Sequence, residues 1–227
     1  MCGIYVHFSD NYPLKDLEIE KLKDGLNKRG PDNFGYNFEL GNKLLLAHSR
    51  LAIQDLSVLA SQPMNLGNSK YTLLFNGEIY NHLELRKIYL KNINFLTDSD
   101  TETILRLLDK YEIDKVFSLL DGMVSIVIYS KEEKNLILYR DKSAQKPLYF
   151  CLSEDKKSVS VSSNPSLFFK LTKNFKKEYD SLELSNYLRN GFTTPSKTIY
   201  KRTFSSTPGK IIKICLRDLK IDFNFAS

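Results

Sequence analysis

Residues 123–139 read Met123-Val124-Ser125-Ile126-Val127-Ile128-Tyr129-Ser130-Lys131-Glu132-Glu133-Lys134-Asn135-Leu136-Ile137-Leu138-Tyr139. Two runs rich in Val, Ile, Leu and Tyr flank a Lys-Glu-Glu-Lys stretch, the pattern of two strands joined by a polar turn. Strand-like runs recur at 148–152 and 159–162, and a last pair is expected at 210–215 and 220–223. These are hairpins, not the strand-helix-strand alternation that builds a parallel sheet. Two helix-like pieces, 165–171 and 181–189, lie between them.

Toward the N-terminus, residues 3–8 alternate and are rich in Ile, Val, Tyr and Phe, so a strand begins almost at the first residue. Over 14–29, Leu17, Ile19, Leu22 and Leu26 recur at helical spacings before Gly30-Pro31, a helix with its stop signal. Short strands are expected at 34–38, 43–48 and 71–75. The polar stretch 54–69, with Pro63 and Gly67, cannot be one regular element. Ser99-Asp100-Thr101-Glu102 has the S-x-x-E form of a capping box, and Ile104, Leu105, Leu107 and Leu108 supply an apolar face behind it.

The chain has 227 residues, enough for one large domain or a domain with a tail. Its 42% hydrophobic and 26% charged residues exclude a disordered, collagen-like or membrane class. The longest apolar stretch, around 123–129, is far below the ~20 residues of a membrane span. MCGIYVHFSD has no basic segment ahead of its apolar residues, so a signal peptide is not expected and the cytoplasm is the expected location. Cys2, Cys151 and Cys215 are widely spaced, with only His7, His48 and His82 beside them, which argues against a disulfide scaffold or a structural zinc site. The net charge of +6 arises after residue 150. Its cations, such as Lys156, Lys170 and Lys177, are interleaved with apolar residues, as on a solvated face or a surface facing another domain. No nucleic-acid-binding signature accompanies them.

Five positions carry chemistry. Met1 ahead of a small side chain is normally removed, which would give Cys2 a free α-amino group. With a pKa near ~8, that amine can take the thiol proton, so nucleophile and base become one residue. Asn76 and Gly77, in Phe75-Asn76-Gly77-Glu78-Ile79-Tyr80-Asn81, can offer a side-chain amide and a backbone N–H to one developing oxyanion, or can form a hairpin turn. Arg50 can fork onto a carboxylate and Asp100 can accept from an ammonium, which together fit a free α-amino acid. The bland alternatives are a surface or interdomain ion pair for Arg50 and a helix N-terminal carboxylate for Asp100.

Taken together, the motifs resemble those of class II glutamine amidotransferases. Met1-Cys2-Gly3-Ile4, Arg29-Gly30-Pro31-Asp32 with Gly35, His48-Ser49-Arg50-Leu51-Ala52-Ile53 and Gln62-Pro63-Met64 come in the family's order. Asn76-Gly77-Glu78-Ile79-Tyr80-Asn81, Ser99-Asp100-Thr101-Glu102, Arg140-Asp141 and Lys146-Pro147-Leu148-Tyr149 continue it. The chain looks most like the glutaminase half of glutamine-hydrolysing asparagine synthetase. The resemblance spans residues 1–215, with 216–227 expected as a tail or the start of a linker.

The resemblance implies an α+β fold, the N-terminal nucleophile hydrolase type: a four-layer αββα sandwich of two antiparallel sheets. It implies Cys2 as nucleophile, Asn76 and Gly77 as oxyanion hole, and Arg50 on the glutamine α-carboxylate with backbone groups of Leu51 and Ile53 beside it. Glu78 and Asp100 match positions that engage the α-amino group. The implied reaction converts L-glutamine to glutamate and ammonia through a thioester, with no metal or cofactor. ATP and Mg are implied only for a synthetase domain, in cis or in trans, since no S-G-G-x-D-S phosphate loop occurs here. The alternative is a non-catalytic partner or glutamine-sensing module with the same fold. Three departures from the family pattern stand out: Ala144 where Gly is usual, Asn164 where Glu is usual, and the atypical Ser205-Ser206-Thr207-Pro208-Gly209. If position 144 needs φ > 0, alanine there is strained.

Overall fold

The computed structural model describes residues 1–10 and 19–225. In chain order the first elements are β1 (Gly3–Ser9), α1 (Ile19–Asn27), β2 (Asn33–Glu39), β3 (Leu44–Arg50) and β4 (Tyr71–Ile79). Three helices follow, α2 (His82–Tyr89), α3 (Asp100–Lys110) and α4 (Ile113–Leu119), then four strands, β5 (Gly122–Ser130), β6 (Asn135–Arg140), β7 (Tyr149–Leu152) and β8 (Ser158–Ser162). The chain finishes with α5 (Ser166–Leu171), α6 (Ser181–Asn190), β9 (Thr203–Ser205), β10 (Lys210–Cys215) and β11 (Ile221–Phe225).

Every strand pairing is antiparallel, and the strands form two sheets, β2-β3-β1-β8-β7-β9 and β11-β10-β6-β5-β4. The hairpin expected at 123–139 is β5–β6, paired from Ser125↔Arg140 to Ser130↔Asn135. The second sheet extends past residue 215, because β11 pairs with β10 from Lys210↔Phe225 to Ile214↔Ile221. Of the helix expected at 14–29, α1 supplies 19–27, and residues 14–18 lie outside the described residues.

Strand alternation explains the layering. On β1, Ile4, Val6 and Phe8 face one core while Tyr5 faces another; on β5, Val127 and Tyr129 separate from Ile126 and Ile128 in the same way. Ile4, Val6, Leu44, Leu46, Leu74, Val127, Leu138, Val161 and Ile212 make the core between the sheets. Tyr5, Leu45 and Ala47 pack outward on Leu22 and Leu26 of α1 and Leu167 and Phe168 of α5. Leu73, Phe75, Ile126 and Ile137 pack outward on Leu85 of α2, on Ile104, Leu107 and Leu108 of α3 and on Phe117 of α4. Strands β1 and β3 are buried along their whole length because both sheet faces are covered. Four layers, αββα, result.

Helices α2 and α4 and strand β9 escape a reading by periodicity. They are short, eight, seven and three residues, and α2 buries one side chain, Leu85. Helix α3 starts where the capping box placed it, with Ser99 accepting from the Thr101 N–H. Its Glu102 does not reach back to Ser99; it accepts from the N–H groups of Leu96 and Thr97 and pairs with Arg106 at 3.1 Å. Helix α6 buries only Glu183, while Leu182 and Leu188 on it and Phe192 just past its C-terminus stand exposed. No helix among the described residues is long and apolar enough to cross a membrane.

Candidate active site

At one end of the inter-sheet layer the apolar stripe of each strand turns polar. The face that carries Ile4 continues to Cys2, that of Leu44 and Leu46 to His48 and Arg50, that of Leu74 to Asn76 and that of Val127 to Ser125. A cleft of ≈ 200 Å³ opens there, and its walls include Cys2, Arg50, Leu51, Ile53, Asn76, Gly77, Glu78 and Asp100. All eight site residues expected from the sequence therefore meet at one cavity.

Cys2 is half-buried. Its Sγ lies 3.4 Å from the Leu51 N–H and 3.8 Å from the Leu51 carbonyl, while Arg29 Nε donates to the Cys2 carbonyl at 3.0 Å. Burial pushes the thiol pKa up, opposed by the Leu51 hydrogen bond, the N-terminal charge and Arg50. Glycines let these segments close up: a Cβ on Gly3 would sit 2.6 Å from Ser49 Oγ, and one on Gly30 2.5 Å from the Arg50 carbonyl carbon.

Arg50 is buried and donates to the carbonyls of Ser57 (2.8 Å) and Asp55, with no ion pair among the described residues. Asp55 folds the same loop by accepting from the Ser57 N–H, and reaches across to accept from the Asp98 N–H at 2.9 Å. The guanidinium thus lines the cleft held by backbone carbonyls, and its charge helps hold the Asp55 carboxyl below the usual carboxylate range. Asp100 stands opposite in sign. It is buried, accepts from the Ile79 N–H at 3.0 Å, and burial pushes its pKa up to about 6 against the pull of that bond.

Asn76-Gly77 does not form the hairpin turn that its sequence also allowed; it lies inside β4, paired through Asn76↔Ser125 and Gly77↔Val124. Because β4 is an edge strand, its odd-numbered residues turn their backbone groups away from β5. Leu73 N–H donates to the Met64 carbonyl at 2.9 Å, Phe75 N–H to Gln62 Oε1 at 2.6 Å and Ile79 N–H to Asp100. Gly77 N–H, between them, has no such partner among the described residues. Beside it, Asn76 Nδ2 is buried with no hydrogen-bond partner. A buried donor without an acceptor is costly, so Asn76 Nδ2, with the half-buried Gly77 beside it on the cleft wall, marks a place suited to an oxygen. Gly77 is needed for close packing as well: a Cβ there would lie 2.0 Å from the Met123 carbonyl oxygen.

His48, quoted in a motif but given no role, donates from Nε2 to the Phe75 carbonyl at 3.0 Å and stays neutral, since burial lowers its pKa to about 4. Gln62 also lines the cleft. Neither role was visible in sequence, because each depends on which backbone groups of β4 face the open edge.

Ala144 has φ 55, so the residue where glycine is usual does sit in the left-handed region. Its loop is held by Arg140, which donates to the Ala144 and Lys146 carbonyls at 2.6 Å, and by Asp141, which accepts from the Val124, Ser143 and Gln145 N–H groups. Asn164 Oδ1 accepts from the Ser166 N–H and Oγ–H, a local cap for α5. Arg140 also donates to Ser205 Oγ at 3.2 Å, tying in the atypical 205–209 segment. No group of three or more His, Cys, Asp or Glu that could hold a metal ion occurs among the described residues.

A family model for the glutamine amidotransferase domain matches residues 1–222. The asparagine synthetase (glutamine-hydrolysing) 1 of Arabidopsis thaliana is 38% identical over 151 residues, 66% of this chain and 25% of its own length. The asparagine synthetase (glutamine-hydrolysing) of Rattus norvegicus is 29% identical over 247 residues, 100% of this chain and 43% of its own. The chain therefore spans less than half the length of these relatives. Glutamine phosphoribosylpyrophosphate amidotransferase of B. subtilis, at 17% identity, has the same fold, with a TM-score of 0.68 over 100% of this chain and 49% of that one. With residues 1–222 matched and the fold shared, the chain belongs to the class II glutamine amidotransferase domain family.

Proposed function

We propose that this domain hydrolyses L-glutamine to L-glutamate and ammonia through a thioester on Cys2, and supplies the ammonia to an ATP-dependent, asparagine-synthetase-type domain in cis or in trans. The observation that carries this reading is the pair of donors without acceptors, Asn76 Nδ2 and Gly77 N–H, in the cleft that also holds the Cys2 thiol. Arg50 and Asp100, of opposite charge in the same cleft, suit the carboxylate and ammonium of a free amino acid. The three free cysteines fit a reducing compartment, and we place the reaction in the cytoplasm.

Removal of Met1 gives Cys2 an α-amine that accepts the thiol proton. Sγ then bonds to the glutamine side-chain carbonyl carbon, and the C=O electron pair moves onto oxygen, where Asn76 and Gly77 stabilise it. As the C=O re-forms, the C–N bond breaks and the leaving nitrogen takes the proton from the ammonium, departing as ammonia. Water adds to the thioester carbonyl, its proton passes to the amine, and Sγ leaves to give glutamate. Glu78 lies beside Asp100 at the ammonium end. These steps use no metal or cofactor; ATP and Mg belong to the partner's reaction. The exposed apolar residues of α6, beside the basic C-terminal part, would face that partner.

Glutamate release by the purified chain tests the proposal. It should vanish in Cys2→Ala, and mass spectrometry of the wild type should show Met1 removed. Activity that survives in Cys2→Ala would sink the mechanism and leave the non-catalytic module as the better reading.

A further inference from the structure

Gln62 is a buried polar side chain of the cleft that takes no part in the steps above. Its Oε1 accepts from the Phe75 N–H at 2.6 Å and its Nε2 donates to Thr101 Oγ1 at 3.3 Å. The other side of the same residue is held too, since the Phe75 carbonyl accepts from His48 Nε2 at 3.0 Å. Phe75 precedes Asn76, and Thr101 follows Asp100. One side-chain amide therefore joins the strand that presents the oxyanion donors to the helix turn that presents the ammonium acceptor. Gln62 is itself fixed from behind: Gly35 of β2 comes so close that a Cβ there would lie 2.3 Å from the Gln62 carbonyl oxygen.

We propose that Gln62 is a positioning residue for amide hydrolysis, which holds the Phe75 peptide through Oε1 and Thr101 through Nε2 so that Asn76 Nδ2 and Gly77 N–H stay aimed at the Cys2-bound oxyanion. This rests on the glutaminase reading. An apolar side chain at 62 leaves the Phe75 N–H without an acceptor, and the edge of β4 is then free to shift. A misplacement of ~1 Å costs on the order of 100-fold in rate. Arg50 and Asp100 keep their other contacts, so ground-state binding is spared.

Gln62→Met keeps the side-chain length and removes both hydrogen bonds. Its kcat should fall about 10- to 100-fold, while KM for glutamine and Ki for L-glutamate stay within about threefold. Gln62→Glu, measured near pH 8, retains an acceptor for the Phe75 N–H and should recover most of that loss. Amide hydrogen exchange at Phe75 should speed up at least ~10-fold in Gln62→Met and remain slow in Gln62→Glu. If Gln62→Met does not fold, Thr101→Val removes only the Nε2 acceptor and should lower kcat by about 3- to 10-fold at unchanged KM. An unchanged kcat in the folded variant, a KM and Ki that rise in step with the kcat loss, or unchanged exchange at Phe75 would overturn the proposal. A wild type with no Cys2-dependent glutamate release would overturn the glutaminase reading instead, and the Phe75 exchange would still decide whether Gln62 clamps β4.

Discussion

Besides the amine proposed for Cys2, Asp100 is a second group through which pH acts on this site. Burial holds its folded pKa near 6, above the usual carboxylate value, so folding favours the protonated form. Between about pH 4 and 6 the folded state binds more protons here than the unfolded state, and this group's contribution to stability falls as pH rises. Binding an ammonium needs the ionised form, so kcat/KM for glutamine should decline below about pH 6. Asp100→Asn should remove the extra fall below about pH 6, leaving only that due to the Cys2 amine, and lower kcat/KM by roughly 10- to 150-fold, the worth of one charge-assisted hydrogen bond. Asn76→Ala should act differently, with kcat down on the order of 100- to 1000-fold and KM nearly unchanged, because in the proposed reaction its amide serves the oxyanion alone. The identities of the eight cleft residues were legible in sequence because each belongs to a motif. The unpartnered state of Asn76 Nδ2 was not, since it depends on what the folded chain leaves out of reach.

At the scale of elements, strand β4 does most to shape the site. Its odd-numbered backbone groups meet Met64, Gln62 and Asp100 in turn, with a gap at Gly77. The sequence placed strands at 71–75, 123–129 and 135–139 from their β-branched and aromatic content. It stopped β4 four residues short, because Asn76-Gly77 ordinarily signals a turn; here it is pairing with β5 that keeps the pair extended. The loop after β6 shows a local cost instead. Ala144 at φ 55 strains a position suited to glycine. Ala144→Gly should raise stability by roughly 0.5–1 kcal/mol, seen as a higher midpoint in denaturant at unchanged slope.

At the scale of the whole molecule, two sheets enclose an apolar layer that turns polar at the end where the cleft opens. Antiparallel hairpins were legible from composition and turn residues. The layering came from the family resemblance and not from periodicity, because strands buried on both faces lose the apolar-polar alternation that would say which face is which. Leu138, fully buried between the sheets, should cost about 2–5 kcal/mol when replaced by Ala, measured by denaturant unfolding. Exposed Leu188 should change stability by less than about 0.5 kcal/mol on the same replacement. The catalytic role of Cys2 is tested most directly by intact-protein and peptide mass spectrometry after treatment with a glutamine-like diazoketone. We expect one adduct per chain, on the Sγ of an N-terminal Cys2 that has lost Met1, with L-glutamine protecting against it and glutamate release lost in proportion. Glutamate release that persists after full labelling, or an adduct on Cys151 or Cys215 with Cys2 untouched, would contradict it.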